Sequence, residues 1–533
     1  MTSKTSSVVL DEPTKASEPT ARPTKVGFVS LGCPKNLVDS EVMMGMLVEA
    51  GAELISRAED ADVIVVNTCS FIDIAQQESV NTILEMARHK TVGRARKLVV
   101  AGCLVERFRD EIRKNIPEVD AVVGTGELEN ILAAAGVENV ARDNSPFKIL
   151  QSRPEGDLRA AQGRFSRENW DGAIADLPNY LYDEATPRVL ATAGYTAYIK
   201  IAEGCDHPCT FCIIPQLRGA FRSRRFESVV REAENLAAAG AREVTLIGQD
   251  TTSYGEDLGL RDGLAQLLER LAHVEDLLWV RFLYAYPNRV TQKMLETLAA
   301  HERLAKYIDM PLQHASRNVL ARMKRGSHGD AFLKLLERMR ATIPGVALRT
   351  SFIVGFPGET ESDFQELYDF VAAAKLDWMG VFEYSDVDNA GSFPLDGKVD
   401  AETINDRRNR LMALQKKISR ENLRKLKGRT GTALVEGPSK DNPLVWEARL
   451  ESMAPDIDGK LYLTDIELPT GEIASSGDVV KVEITKTDAY DLIGRVVEVQ
   501  SRKTLRQTAA SEPQIPPEKL TRIATGAALR VFG

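Results

Sequence analysis

Short apolar runs alternate with amphipathic segments along most of the chain. Residues 25–31 (KVGFVSL), 61–67 (ADVIVVN) and 97–101 (KLVVA) are almost uninterrupted in their apolar character. Each is followed by a helix-like stretch. Such runs predict buried strands of a parallel α/β sheet, because helical crossovers cover both of its faces. From about Asp143 to Pro187 the pattern dissolves into polar, irregular sequence such as QSRPEGDLRAAQGRFSREN, the composition of a linker.

A second series of strand-like runs starts at TAYIKIAEG (196–204). It continues through EVTLIGQD (243–250), WVRFLYAYP (279–287), KYIDMPLQH (306–314), VALRTSFIVGFP (346–357) and MGVFEYSD (379–386). Helical segments such as FESVVREAENLAAAG separate them. Six strand–helix units predict an incomplete (βα)6 barrel, with chemistry expected on the loops after the strands. After the helical segment ETINDRRNRLMALQKKISRENLRKL come short alternating runs between Gly, Pro and Asp turns (TALVEG, LYLTDIEL, DVVKVEITK, LIGRVVEVQ), which predict a small antiparallel β-barrel. The expected organisation is therefore a tail at 1–24, an α/β domain at 25–142, a linker at 143–192, the barrel at 193–425, the β-barrel at 426–500 and a second tail at 501–533.

Length and composition fit this division. At 533 residues, 43% hydrophobic and 27% charged, the chain has the makeup of a multidomain globular protein. No apolar run reaches the roughly 18 residues of a membrane span. The first 24 residues lack the apolar core of a signal peptide and read as a disordered tail. A net charge of −9 gives no support to bulk attraction for nucleic acid. Six cysteines in 533 residues are too sparse for a secreted disulfide scaffold, so a reduced, cytoplasmic protein is expected.

The cysteines fall in two sets. Cys33, Cys69 and Cys103 each follow a predicted strand. Ligands gather at the carboxyl ends of parallel strands, so these three could converge. Unrelated buried thiols would also account for them. The other three stand together in EGCDHPCTFC, as Cys205, Cys209 and Cys212. Thiolates bind zinc and iron–sulfur clusters alike. A structural zinc site wants four ligands, and His207, inside the loop, would compete with its neighbours for geometry. Three thiolates on a 4Fe–4S cluster leave one iron open for a small molecule.

The CxxxCxxC spacing, with Phe211 just before the last cysteine, resembles the signature of radical S-adenosylmethionine (SAM) enzymes. In that superfamily the open iron chelates the methionine moiety, and reduction releases a 5′-deoxyadenosyl radical. The resemblance implies further SAM contacts from Phe211, from Gln249 in GQD, and from Arg349 and Ser351 in RTSFIVGFPGE. The domain order, with a second cysteine trio ahead of the barrel and a TRAM-like module after it, resembles the methylthiotransferases over residues 25 to about 500. That family implies an auxiliary 4Fe–4S cluster on Cys33, Cys69 and Cys103 and the radical cluster on Cys205, Cys209 and Cys212. One SAM supplies a methyl group and another the radical; a flavodoxin or ferredoxin type protein is the implied reductant.

Family members modify either tRNA adenosine or an aspartate of small-subunit ribosomal protein S-twelve. IGQDTTSYGEDL (247–258), MPLQHAS, APDIDG (454–459) and DAYDLIGRVV (488–497) resemble the ribosomal-protein branch. Residues 428–500 hold seven Lys/Arg against fourteen Asp/Glu. That balance is poorly matched to RNA phosphates and well matched to a basic protein, although such carboxylates also serve simply as a solvated face. The tRNA branch shares all six cysteines. A non-catalytic iron–sulfur carrier is the alternative from another class.

Overall fold

The computed structural model describes residues 22–137, 178–440, 442–468 and 471–502. Most of both expected tails, and of the linker, lies outside the described residues. The N-terminal sheet has five parallel strands: β1 (Lys25–Ser30), β2 (Glu53–Ile55), β3 (Val63–Thr68), β4 (Lys97–Gly102) and β5 (Ala121–Val123). Their order is β2-β1-β3-β4-β5. β2 and β5, at three residues each, are too short to leave a periodic signal. The chain reverses direction across the sheet between β1 and β3, a topological switch point where a crevice opens beyond the strand ends.

Helix α1 (Pro34–Glu49) follows β1 and begins with proline at its first turn, where the missing N–H costs nothing. Val38 and Val42 bury one face and Leu47 lies on the opposite side. Asn36, Asp39, Ser40 and Glu41 are equally buried, so α1 is covered on both sides. The end of the expected linker is part of that cover. Arg188 pairs with Glu41 at 2.5 Å and with Glu232 at 2.5 Å. A Cβ at Gly45 would lie 2.3 Å from the Pro187 carbonyl; only glycine admits the strap so close. Residues 187–191 are thus packed against α1, within the segment that sequence predicted as a spacer.

The first predicted barrel strand breaks at Ile201. β6 (Thr196–Lys200) enters the barrel, whereas β7 (Ala202–Glu203) pairs antiparallel with β8 (Arg222–Ser223) and forms the stem of the cysteine loop. β9 (Glu243–Ile247), β10 (Trp279–Phe282), β11 (Tyr307–Asp309), β12 (Ala347–Val354) and β13 (Trp378–Glu383) complete six parallel strands. Two three-stranded halves, β6-β9-β10 and β11-β12-β13, join where Val280 exchanges backbone hydrogen bonds with Arg303 and Ala305. The barrel is incomplete, as expected. β10 and β11 end earlier than predicted; Tyr284 (φ +66°) turns left-handed two residues after β10, and Gln313 (φ +73°) does so four residues after β11 while still bonded to β12, a costly conformation for these residues that recurs at functional sites.

β14 (Thr430–Pro438), β15 (Trp446–Leu450), β16 (Leu461–Asp465), β17 (Val479–Thr487) and β18 (Leu492–Ser501) close a five-stranded barrel. It departs from the expected antiparallel pattern at one seam, because β16 and β18 run parallel. This barrel plugs the floor of the six-stranded one. Arg449 reaches Glu243 at 2.7 Å and Glu436 at 2.6 Å, and Glu243 also binds Arg281 at 2.7 Å. Asp458 accepts from Tyr307 at 2.7 Å and pairs with Arg349 at 3.4 Å. Trp378 donates to the Ser452 carbonyl.

These charges are shielded from water, so deleting one strands its partners. Arg449→Ala is expected to lower unfolding stability by about 3–5 kcal/mol. Arg495→Ala, which breaks the half-exposed pair with Glu483, should change it by under about 1 kcal/mol. Denaturant titration of both variants against the parent chain checks the contrast.

Candidate functional site

Both sheets aim their strand ends at one region. Cys33 follows β1, Cys69 follows β3 and Cys103 follows β4. Gly32 (φ +88°) and Gly102 (φ +94°) make the turns that precede Cys33 and Cys103. A Cβ on Gly32 would sit 2.8 Å from Cβ of Cys69 and 3.1 Å from its Sγ, so glycine there is what lets two of the thiols approach. Asn36 Nδ2 donates to the carbonyls of Leu31 and Thr68, and Asn67 Nδ2 donates to the Asn36 carbonyl and to Ser40 Oγ. Ser79 Oγ accepts from Cys69 N–H and donates to the Cys69 carbonyl. The three strand ends are therefore tied together by side chains.

The second trio lies on the loop between β7 and β8. Cys205 N–H donates to the Gly219 carbonyl, and Thr210 is bonded through its backbone to Met323 and Ser392. His207 Nε2 lies 2.7 Å from Asp250 Oδ2, and its ring stacks at 3.8 Å on Tyr286. His207 is thereby committed to holding the loop. Arg325 lies 4.2 Å from the Tyr286 ring centroid and 3.7 Å from Cys209 Sγ. A cleft of ≈ 190 Å³ opens beside Cys205, Asp206, His207, Phe221 and Asp250.

A buried polar network spans the space between the trios. Asp39 on α1 accepts from Lys200 at 2.5 Å and from Arg218 at 2.5 Å. Both cations also contact Glu203, at 2.5 and 3.3 Å. Arg218 continues to Asn36 Oδ1 and to Cys103 Sγ at 3.3 Å. Burial opposes the charge of Glu203, yet Lys200 and Arg218 outweigh it and hold the carboxyl well below its usual range. Gln249 Nε2 donates to Glu203, while its Oε1 is buried without a partner. Lys35 stands 3.3 Å from the Tyr284 ring centroid, close enough for its charge to bear on both Cys33 and Cys212.

The donor set suits a sulfur-rich cluster. All six cysteines are free, and Cys33, Cys205, Cys209 and Cys212 keep partial exposure. Burial pushes the thiols of Cys69 and Cys212 up to about 12, and that of Cys103 to about 11. Thiolates in such a place need a bound cation to neutralise them, and soft sulfur donors select iron–sulfur clusters and thiophilic metals. Among the described residues no three His, Cys, Asp or Glu converge closely enough for a single ion. A cluster, which interposes its own atoms, holds its ligands further apart.

Three family patterns cover this architecture: uncharacterized protein family UPF0004 over residues 25–124, the radical SAM superfamily over 199–371 and the TRAM domain over 428–497. The ribosomal protein uS12 methylthiotransferase RimO of Koribacter versatilis is 63% identical over 494 residues, 90% of this chain and 98% of that one. Its namesake from Solibacter usitatus is 58% identical, over 89% of this chain and 95% of that one. The chain belongs to the RimO methylthiotransferase family. Among solved structures, the radical SAM methyltransferase TsrM of Kitasatospora setae is similar at 16% identity and a TM-score of 0.45, over 68% of this chain and 75% of that one; the likeness is too remote to inform the site.

Within this RimO-family site, the four residues expected at SAM lie on three segments: Phe211 on the cysteine loop, Gln249 just after β9, and Arg349 and Ser351 on β12. Phe211 is half-buried against the barrel core, and Gln249 faces the network. Ser351 is buried on β12. Arg349, two residues earlier, is engaged by Asp309 at 2.8 Å and by Asp458 of the floor. Sequence reasoning missed Lys35, Asp39, Lys200, Glu203, Arg218, Asp250, Tyr286 and Arg325. The legible signal was charge inside apolar runs: Lys200 and Glu203 interrupt a buried strand, and α1 carries KNLVDSE where a helix packed on a sheet should show one wet face.

Arg218→Leu leaves Asp39 and Glu203 buried beside a single cation. Its expected cost is about 3–5 kcal/mol, appearing first as separation of α1 from β6. Amide exchange of α1, compared between variant and parent, measures it.

Proposed function

We propose that this chain adds a methylthio group to an aspartate of ribosomal protein uS12, with Cys205, Cys209 and Cys212 holding a radical 4Fe–4S cluster and Cys33, Cys69 and Cys103 an auxiliary one. The observation that carries the reading is that a continuous hydrogen-bonded network, Gln249–Glu203–Arg218–Cys103, joins the surroundings of one trio to a thiol of the other. A reaction that makes a carbon radical and then joins sulfur to it needs both centres within reach of one substrate. The names of the relatives agree with the ribosomal-protein branch, and none of those cited is a tRNA enzyme.

When bound, the clusters and SAM supply the radical, the methyl group and the transferable sulfur. The protein's own share is orientation. The Gly32 and Gly102 turns and the Ser79 clamp fix the auxiliary thiols. Asp250, stacked Tyr286 and Arg325 fix the radical loop. The amide oxygen of Gln249, together with Phe211 and Ser351, is the lining offered to SAM. Arg349 is assigned instead to docking the C-terminal barrel. A flavodoxin or ferredoxin type protein is the proposed electron donor. Among the described residues no helix is long and apolar enough to cross a membrane; the setting proposed is cytoplasmic.

Anaerobic reconstitution should load about eight irons per chain, four per cluster. Cys209→Ala should lose 5′-deoxyadenosine formation altogether. Cys69→Ala should keep it yet yield no modified uS12, which in the parent gains about 46 Da, H replaced by SCH3 through the radical route. Full-rate product from Cys69→Ala would remove the auxiliary role.

A further inference from the structure

Most cations deep in this site are matched to carboxylates: Lys200 and Arg218 by Asp39 and Glu203, Arg188 by Glu41 and Glu232. Arg325 is one exception, taken up by the Pro311 carbonyl and Cys209 Sγ; Lys35 is the other. It is 9% exposed, and among the described residues no carboxylate pairs with it. Its ammonium lies over the face of Tyr284. A cation–π contact is worth only about 0.5–2 kcal/mol, and a buried lysine ordinarily has a carboxylate as well.

Its support is built with some expense. Tyr284 holds φ +66° and is kept there by three fixed groups. Its N–H donates to Asp309 Oδ2, and its carbonyl accepts from the N–H and hydroxyl of Thr251. The strained residue thus presents its ring to Lys35 from the barrel side, while the lysine itself stands in the first turn of α1, two residues after Cys33. The result is a buried cation whose charge bears on Cys33 and Cys212, one from each trio, with no carboxylate partner among the described residues.

We propose that Lys35 is the specificity residue that binds the side-chain carboxylate of the substrate aspartate. The inference rests on the reading of the site as a uS12 aspartate methylthiotransferase. An ion pair there would hold the β-carbon, one bond from the carboxylate, between the two centres. A neutral amide in the same place would leave the cation unmatched, and sites built around a specific polar partner reject analogues that lack it.

The test is a double-mutant cycle on binding, with the full reconstituted chain under anaerobic conditions. The ligands are purified uS12 and its variant with asparagine at the modified aspartate. Lys35→Met should weaken binding of the aspartate form about 10- to 100-fold, the range for a charged hydrogen bond. It should leave the already weak asparagine form within about twofold, because additivity fails only between contacting groups. Lys35→Arg, which keeps the charge, should recover part of the discrimination. Iron content and the electron paramagnetic resonance of both clusters should match the parent. Equal losses for the two uS12 forms, or a shifted cluster spectrum with discrimination intact, would overturn the proposal and make Lys35 a counter-charge for the clusters. Should the parent chain bind and modify neither form, it is the substrate reading that has failed.

Discussion

The arrangement of this molecule depends on the sharing of Asp39. One carboxylate on α1 binds Lys200 from the first barrel strand and Arg218 from the short helix Ile214–Arg218 that follows the cysteine loop. Buried ion pairs repay their desolvation poorly and are weak sources of stability, but they tolerate few alternative geometries. Here the geometry sets the separation of the two cysteine trios. Arg218 lies six residues beyond Cys212 in the chain and 3.3 Å from Cys103 in space. A guanidinium suits that place because its planar fork serves several acceptors at once: Asp39, Glu203, Asn36 and the thiol.

The opposite end of the barrel is secured by a second set of buried charges with a different logic. Glu243, the first residue of β9, meets Arg449 of the C-terminal barrel and also binds Arg281 on β10, while Arg349 on β12 meets Asp458 and is held by Asp309 at the end of β11. Here apolar plugging would serve as well for stability. What ion pairs add is register, since Asp458 must meet both Tyr307 and Arg349. The APDIDG segment therefore acts first as a plug. Part of the acidity of residues 428–500 is likewise consumed internally: the carboxylates of Asp458 and Asp478 are 1% and 3% exposed. Asp465, Glu467 and Glu498 remain on the surface, as does Asp488 with its partner Arg420.

The three-part architecture was legible because each part has its own hydrophobic period, and the cysteines were legible because each follows a strand. Short elements escaped: β2 and β5 hold too few residues for a pattern. Strand ends were overrun at β10 and β11 because apolar character continues past Phe282 and Asp309, while Tyr284 and Gln313 change the backbone without a glycine to announce it. The network residues were illegible as a group. Asp39, Lys200, Glu203 and Arg218 acquire meaning only when two domains meet, and a polar helix face reads in sequence as a wet one.

An incomplete barrel leaves two edge strands with unpaired backbone groups, a hazard that proteins cover or blunt. Both edges are covered here by neighbouring elements. α1 packs on β6, and the helix Ala401–Arg424 packs on β13, where Gln415 donates to the Leu376 carbonyl and Ser419 Oγ to that of Asp377. The cover on β6 is the same helix that carries Asp39 and Lys35. Protecting the edge and bringing the N-terminal cysteine trio to the barrel mouth are thus one structural act. Two additional strands would remove the need for the N-terminal domain at that edge, and with it the means of holding a second sulfur-ligated centre beside the first. The open barrel is the condition for a two-centre site.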